Sequence, residues 1–86
     1  MEDLTQLRRE IDHIDEKILM ALKERVQICR TIGEIKRKIH LPVKDLEREE
    51  EIISRIKLSA EELDLDPLQI ITIYREIVNM CCTVQE

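Results

Sequence analysis

One helical repeat runs through almost the first half of the chain and limits what the chain can fold into. Apolar residues recur there at steps that alternate between three and four: Leu4, Leu7, Ile11, Ile14, Ile18, Ala21, Ile28, Ile32, Ile35 and Ile39. This spacing is typical of a heptad seam on one face of an α-helix. It predicts a first helix from about Asp3 to Ile39.

The length of this helix predicts an oligomer. At 1.5 Å per residue the helix is ~50 Å long, whereas a compact domain of this size is only ~30 Å across. The seam therefore cannot be covered within one chain. We expect two chains to pack along it, most simply as a two-fold homodimer.

Two prolines divide the rest of the chain into two shorter helices. Asp45 follows the break at Pro42 and is a good N-cap, and Asp66 is an N-cap followed by Pro67 at the first helical position. The composition agrees, because the 86 residues include one glycine, one tyrosine and no phenylalanine or tryptophan, whereas sheets need turn residues and aromatic residues. The sequence predicts an all-α fold of three helices in a single domain, residues 1–86.

Composition also excludes several classes of function. A net charge of -5 and a single aromatic residue disfavour nucleic-acid binding. No apolar run approaches the ~20 residues that a membrane span needs, and the charged N-terminus has no signal-peptide apolar region. Cys29, Cys81 and Cys82 are typical of free thiols in a reducing cytoplasm. Neither they nor His13 and His40 have metal-ligand spacing, so we expect no metal and no cofactor.

A polar residue interrupts the apolar stripe of each predicted helix once. Arg25 fills the gap in the first seam, and Gln85 continues the stripe of the third helix. Glu49 takes a seam position of the second helix, whose other members are Leu46, Ile53, Ile56, Ala60 and Leu63. A buried unpaired charge is costly. A polar seam residue can also simply fix the register of a coiled coil, and for Arg25 alone both interpretations stand.

Helix geometry groups the basic residues. Arg25 and Lys36 are eleven residues apart, which is close to three turns, so they share a face with Cα atoms ~16 Å apart. Arg8 lies ~25 Å before Arg25 on the helix and ~100° around it, so it could approach Arg25 only from the other chain of an antiparallel dimer. Together with Glu49, these cations predict a polar pocket in a helical bundle that binds a small polyanion, either a dicarboxylate or a phosphate compound.

The polar residues and their order resemble a known family. The stretches LRREIDHIDEKILMALKERVQICRTIGEIK and LPVKDLEREEEI, followed by Gln85, closely resemble the all-helical chorismate mutases over Leu7 to Gln85. This resemblance implies an intertwined homodimer that converts chorismate to prephenate, the entry step to phenylalanine and tyrosine. The reaction is a unimolecular pericyclic rearrangement, which requires no nucleophile, metal or cofactor.

The resemblance also implies roles for the cations and for Gln85. Arg25 and Arg8 of the other chain match the arginines that hold the two substrate carboxylates. Lys36 matches a lysine that contacts a carboxylate and the ether oxygen. Gln85 matches a glutamine that donates a hydrogen bond to the same ether oxygen, where negative charge develops as the C–O bond breaks.

Four further residues are assigned by resemblance to the ring hydroxyl of the substrate. Asp45, through its backbone N–H, and Glu49 match groups that bind this hydroxyl, and Arg48 matches a supporting arginine. Cys81 stands where the family has a serine near the hydroxyl, and a thiol is a weaker donor and acceptor than a serine hydroxyl.

Two alternative functions remain open from the sequence. One is a non-enzymatic helical dimerisation module, which would bind no small molecule and would tolerate Arg25→Leu. The other is an isochorismate pyruvate lyase, because such enzymes share this scaffold and a pocket lined by arginine and lysine.

Overall fold

Three α-helices joined by two short connections account for most of residues 3–86, the part of the chain that the computed structural model describes. Helix α1 spans Leu4–Lys38, α2 spans Leu46–Glu62 and α3 spans Pro67–Gln85. No strand is present within residues 3–86. The predicted all-α fold of three helices is confirmed, and the predicted limits of the first helix lie within one residue of those observed.

Aspartates begin all three helices. The side chain of Asp3 accepts a hydrogen bond from the N–H of Gln6 at 2.8 Å. Asp45 accepts in the same way from Arg48 at 3.1 Å. Asp66 accepts from the N–H of Leu68 at 3.0 Å, with proline at the first helical position. Each cap satisfies a backbone donor that the first turn leaves free, and the caps predicted at Asp45 and Asp66 are confirmed.

Helices α1 and α2 end in the same way, with a residue in the left-handed conformation. His40 and Asp64 both have φ of 59°. The N–H of the next residue donates a hydrogen bond back to a carbonyl in the last turn of the helix. Leu41 N donates to Lys36 O at 2.8 Å, and Leu65 N donates to Ala60 O at 2.9 Å. This is the Schellman arrangement, which usually places glycine at the left-handed position. It turns the chain sharply after each helix.

Helix α3 packs against both other helices, whereas α1 and α2 do not pack against each other within residues 3–86. Contacts of Arg25 with Cys81 and of Arg37 with Gln85 show that α1 and α3 run parallel. Because α1 and α2 both pack on α3 but not on each other within residues 3–86, a cleft remains between α1 and α2 with α3 as its floor.

The buried face of α2 differs by one position from the predicted seam. Ile52, Ile56 and Ala60 are buried, whereas Ile53 is only half-buried. Residues spaced by four lie almost in line on a helix, so this row faces α3. The alternating spacing that was read from the sequence placed Ile53 in the seam instead.

The first half of α1 extends away from the other helices. The described chain measures 58 × 24 × 15 Å, and every residue from 3 to 21 is exposed. The exposed apolar side chains there include Leu4, Leu7, Ile11, Ile14 and Ile18. The accessible surface is 7304 Å², whereas a compact monomer of 10.3 kDa would expose about 5,400 Å². Within residues 3–86, none of the helices combines the length and apolar character of a membrane span.

Candidate active site

The cleft between α1 and α2 contains a cavity of ≈ 420 Å³ that is lined by all three helices and by the connection between α1 and α2. Six predicted site residues line it: Arg25, Lys36, Asp45, Arg48, Glu49 and Cys81. Its size is within the range of small-molecule sites. A hollow of ≈ 620 Å³ beside residues 16–27 is lined by α1 alone, so groups from different helices do not converge there.

Arg25 lies on the wall of the cavity without an acidic partner. It is half-buried, and its Nη1 donates to the Sγ of Cys81 at 2.7 Å and lies 3.9 Å from the Sγ of Cys29. Within residues 3–86 the only ion pair joins Arg48 to Glu51. Because a thiol is a weak acceptor, the guanidinium charge stays available for an anion in the cavity.

Lys36 contributes a second cation to the same cavity. Its Nζ donates to the backbone oxygen of Val43 at 2.7 Å, a bond that ties the end of α1 to the connection before α2. The connection turns back sharply at His40, and this brings the carbonyl of Val43 within reach. Since that acceptor is neutral, the ammonium charge has no carboxylate partner among the described residues.

The wall formed by the start of α2 carries both acidic groups of the cavity. The Asp45 carboxylate caps α2, and Glu49 lies one turn further along and is half-buried. Glu49 Oε1 accepts from the Sγ of Cys82 at 3.7 Å. Burial and then the Glu49 carboxylate raise the pKa of the Cys82 thiol, because both disfavour a second negative charge.

Three cavity residues with a charged or thiol side chain were missed by sequence reasoning: Cys29, Arg55 and Cys82. Cys29 lies four residues after Arg25, and Arg55 lies seven residues after Arg48, so helical spacing could have placed each of them on a predicted face. Cys82 carries no comparable signal. Its position depends on how α3 packs against α2.

Cys29 is buried between α1 and α3. Burial, and next the hydrogen-bonded thiol of Cys81, raise its pKa to about 11. Both causes favour the neutral thiol over the thiolate. Cys29 is therefore a neutral group beside Arg25 near neutral pH.

Gln85 does not line the cavity but lies beside it. It is buried, and its Nε2 donates to the backbone oxygen of Cys81 at 3.1 Å. The backbone oxygen of Gln85 accepts from Arg37 Nη1 at 2.8 Å. Its side-chain Oε1 is buried and has no donor among residues 3–86, and a buried polar atom without a partner costs about 1–3 kcal/mol.

Arg8 is not brought to the cavity within one chain. It is exposed on the extended half of α1, seventeen residues before Arg25 and thus ~25 Å away along the helix. The single chain therefore brings together six of the eight predicted site residues, places Gln85 at their edge and leaves Arg8 apart.

The charges around the cavity favour an anionic ligand. Four cationic side chains line it, those of Arg25, Lys36, Arg48 and Arg55, against the two carboxylates of Asp45 and Glu49. This local excess contrasts with the net charge of -5 of the whole chain. Among residues 3–86, no cluster of three or more metal-binding side chains is formed.

Comparison with known proteins shows the family to which the chain belongs. The chain belongs to the chorismate mutase type II family, whose sequence model matches residues 7–86. It is 43% identical to the bifunctional chorismate mutase/prephenate dehydratase of Aquifex aeolicus over the whole of this chain, but spans only 25% of that relative. It is 38% identical to the chorismate mutase of Methanocaldococcus jannaschii over 77% of this chain and 67% of that protein.

A solved structure supports the fold. A conserved hypothetical protein from Pyrococcus furiosus superposes with a TM-score of 0.79 at 37% identity, covering 96% of this chain and 95% of that one. The family resemblance that the sequence predicted is confirmed.

Proposed function

We propose that the chain is a chorismate mutase, an isomerase that rearranges chorismate to prephenate. The observation that carries this proposal is the pair Arg25 and Lys36, two cations on one cavity whose protein contacts are all to neutral acceptors. Chorismate carries two carboxylates, so it offers these cations the partners that they lack. Family membership and the names of the relatives support the same activity.

In the proposed mechanism the protein selects a conformer of the substrate. The rearrangement is unimolecular and pericyclic, so the site has to hold the two reacting ends close together, which is catalysis by orientation. The cavity combines fixed charges with apolar walls from Ile28, Ile32, Ile52 and Val78. Carboxylates held at Arg25 and Lys36 would fold the substrate between those walls.

Electrostatic stabilisation of the ether oxygen is the second part of the proposal. Lys36 lines the cavity, and the Gln85 amide keeps a second N–H beyond the one that is bonded to Cys81. These donors would stabilise the negative charge that grows on the oxygen as the C–O bond breaks. The Oε1 of Gln85 has no donor among residues 3–86, and this supports a polar partner from outside these residues.

The ring hydroxyl of the substrate would lie toward the start of α2. Asp45, Arg48 and Glu49 line that part of the cavity, and Cys81 faces it from α3. We propose that the Asp45 backbone N–H and the Glu49 carboxylate bind the hydroxyl, with Arg48 supporting them. Cys81 already accepts from Arg25 at 2.7 Å, so its contact with the hydroxyl would be secondary.

We propose further that the active form is an intertwined homodimer with Arg8 supplied across the interface. The chain exposes about 1,900 Å² more surface than a compact monomer would, and stable interfaces bury amounts of this order. The apolar stripe on residues 4–18 is one of the parts left uncovered. An antiparallel partner along α1 would cover it and bring Arg8 of the partner subunit toward Arg25.

Parallel assays of chorismate and isochorismate with the purified chain test the proposal. We expect prephenate from chorismate and no pyruvate from isochorismate. Arg25→Ala should abolish the activity, whereas Arg30→Ala, an exposed arginine of the same helix, should retain it. Pyruvate release would favour the lyase, and no turnover of either compound by a folded chain would favour a dimerisation module.

A further inference from the structure

All three cysteines in residues 3–86 line the same cavity, and two of them are adjacent in sequence with opposite charges beside them. The Sγ of Cys81 lies 2.7 Å from the guanidinium nitrogen of Arg25. The Sγ of Cys82 lies 3.7 Å from the carboxylate oxygen of Glu49. A cysteine is reactive when it lies beside a cation and a reagent can reach it, because the thiolate is the nucleophile. Cys81 is buried, so only a small reagent that enters the cavity can reach its sulfur. The two neighbouring thiols should therefore differ strongly in reactivity.

The packing of α1 on α3 supplies a second thiol next to Cys81. Gly33 allows the backbone at Gln85 to approach α1 closely. Cys29 lies one turn before Gly33 in α1, and Cys81 lies one turn before Gln85 in α3. Their sulfur atoms both lie within 4 Å of the same nitrogen of Arg25. Cys29 and Cys81 therefore face each other across the helix interface.

We propose that Cys81 is a modification site for hydroperoxides, and that Cys29 resolves the product into a disulfide between α1 and α3. In the first step the Cys81 thiolate attacks one oxygen of hydrogen peroxide. The O–O bond breaks, the sulfenic acid forms, and the hydroxide that leaves takes a proton to become water. In the second step the Cys29 sulfur displaces the sulfenic oxygen, which leaves as water after taking the Cys29 proton.

The charges around the cavity indicate that Cys81 reacts with the peroxide first and Cys29 second. The guanidinium of Arg25 lies 2.7 Å from the Cys81 sulfur, whereas burial, and next the thiol of Cys81, raise the pKa of Cys29 and keep it protonated. Cys82 should take no part, because burial and then the Glu49 carboxylate beside it raise its pKa and disfavour a thiolate. Cys82 is thus an internal control, in the same cavity and one residue away. The inference does not depend on the reaction that the cavity catalyses.

Peroxide treatment followed by alkylation and mass spectrometry tests the proposal. The 86-residue chain is treated with hydrogen peroxide, unfolded in denaturant and alkylated with iodoacetamide. Untreated protein should carry three alkyl groups, and treated protein should carry one, on Cys82, with Cys29 and Cys81 joined within one chain.

Single substitutions separate the roles of the three thiols. Cys82→Ser should still form the disulfide. Cys81→Ser should form no disulfide, and both of its remaining thiols should be alkylated after peroxide treatment. Cys29→Ser should give a sulfenic acid at Cys81, which dimedone traps. Circular dichroism confirms that each variant is folded. Three alkyl groups on peroxide-treated wild type, loss of the disulfide in Cys82→Ser, or a disulfide between two chains would overturn the proposal.

Discussion

Gly33 in α1 lies directly against the backbone of Gln85 in α3. A Cβ atom built at position 33 would lie 2.8 Å from the Cα of Gln85 and 3.1 Å from its Cβ. Glycine inside a helix costs about 1 kcal/mol relative to alanine, and close approach of the two helices explains why it is present here. This contact sets how near the end of α3 comes to Arg25 and Lys36.

Gly33→Ala should move the end of α3. The contact is with backbone, which cannot rotate away, so we expect overpacking that costs about 1–3 kcal/mol and exceeds the gain in helix propensity. The melting temperature should fall, and kcat/KM should fall about ten-fold or more because Gln85 is displaced. Thr31→Ala, at an exposed position of the same helix, is the control and should change neither. If Gly33→Ala is more stable than wild type and fully active, the close contact between α1 and α3 at Gly33 is not needed for activity.

Arg25→Leu should separate activity from stability. The substitution removes a half-buried charge that has only thiol acceptors, and such a charge contributes little to stability. We expect an unchanged or higher melting temperature and a loss of activity of about 100-fold or more. Arg25→Lys keeps the charge but loses the two-pronged geometry and should be intermediate. Marked destabilisation with activity retained would make Arg25 a structural residue.

A mixed dimer should recover activity if Arg8 and Arg25 meet across the interface. Arg8→Ala and Arg25→Ala homodimers should each be nearly inactive. After joint unfolding and refolding, about half of the dimers are mixed, and each mixed dimer has one intact site and one that lacks both arginines. Activity should therefore return to about a quarter of wild type. If mass spectrometry shows mixed dimers but activity stays absent, the two arginines do not share a site.

Gln85→Glu should make the reaction sensitive to pH. A protonated glutamic acid can still donate a hydrogen bond to the ether oxygen, whereas the ionised form only accepts and repels the growing charge. The variant should be most active at low pH and lose activity as pH rises, while wild type stays comparatively flat. The check is the initial rate of chorismate loss across acidic to mildly alkaline pH, with folding followed by circular dichroism. Parallel profiles would remove Gln85 from the site.

Stability should decline in alkaline solution partly because of Cys29. Burial, with the thiol of Cys81, raises the pKa of Cys29 from 9.0 to about 11 in the folded chain. Between these two values the folded state holds the proton that the unfolded state has lost. The stabilisation is therefore complete below pH 9.0 and is lost as the pH rises toward about 11.

Cys29→Ala should flatten this pH dependence of the free energy of unfolding. Urea titrations at pH values on both sides of 9.0 measure the free energy of unfolding of wild type and of Cys29→Ala. All other residues are the same in the two proteins, so the difference between their slopes isolates Cys29. Some decline should remain, because the pKa of Cys82 is also raised. Identical slopes for wild type and Cys29→Ala would contradict the assignment.

Helix boundaries followed from the sequence because their signals are local. Asp45 and the Asp66-Pro67 pair bond to backbone groups within three residues of themselves, so their effect is readable without knowledge of packing. The shared face of Arg25 and Lys36 likewise depends only on helical spacing, and both line the cavity.

Contacts between helices could not be read in the same way. The contacts of Arg25 with Cys81 and of Cys82 with Glu49 join residues 56 and 33 positions apart. These contacts depend on the rotation of each helix about its own axis. Apolar spacing predicts that rotation only to within about one residue, since it placed Ile53 on the buried face where the structure has Ile52. The backward bond of the Gln85 amide to Cys81 also depends on the space left at Gly33.

The position of α3 between the other two helices has a consequence for how the chain folds. Because α1 and α2 pack on α3 and not on each other within residues 3–86, neither can bury the side chains that face α3 before that helix has been synthesised. The bonds that join α1 to α3 link residues 48 to 56 positions apart. Closing loops of that length slows folding relative to bundles in which neighbouring helices pair. We therefore expect folding to begin after synthesis of α3, and to be slower than in a helical hairpin of similar size.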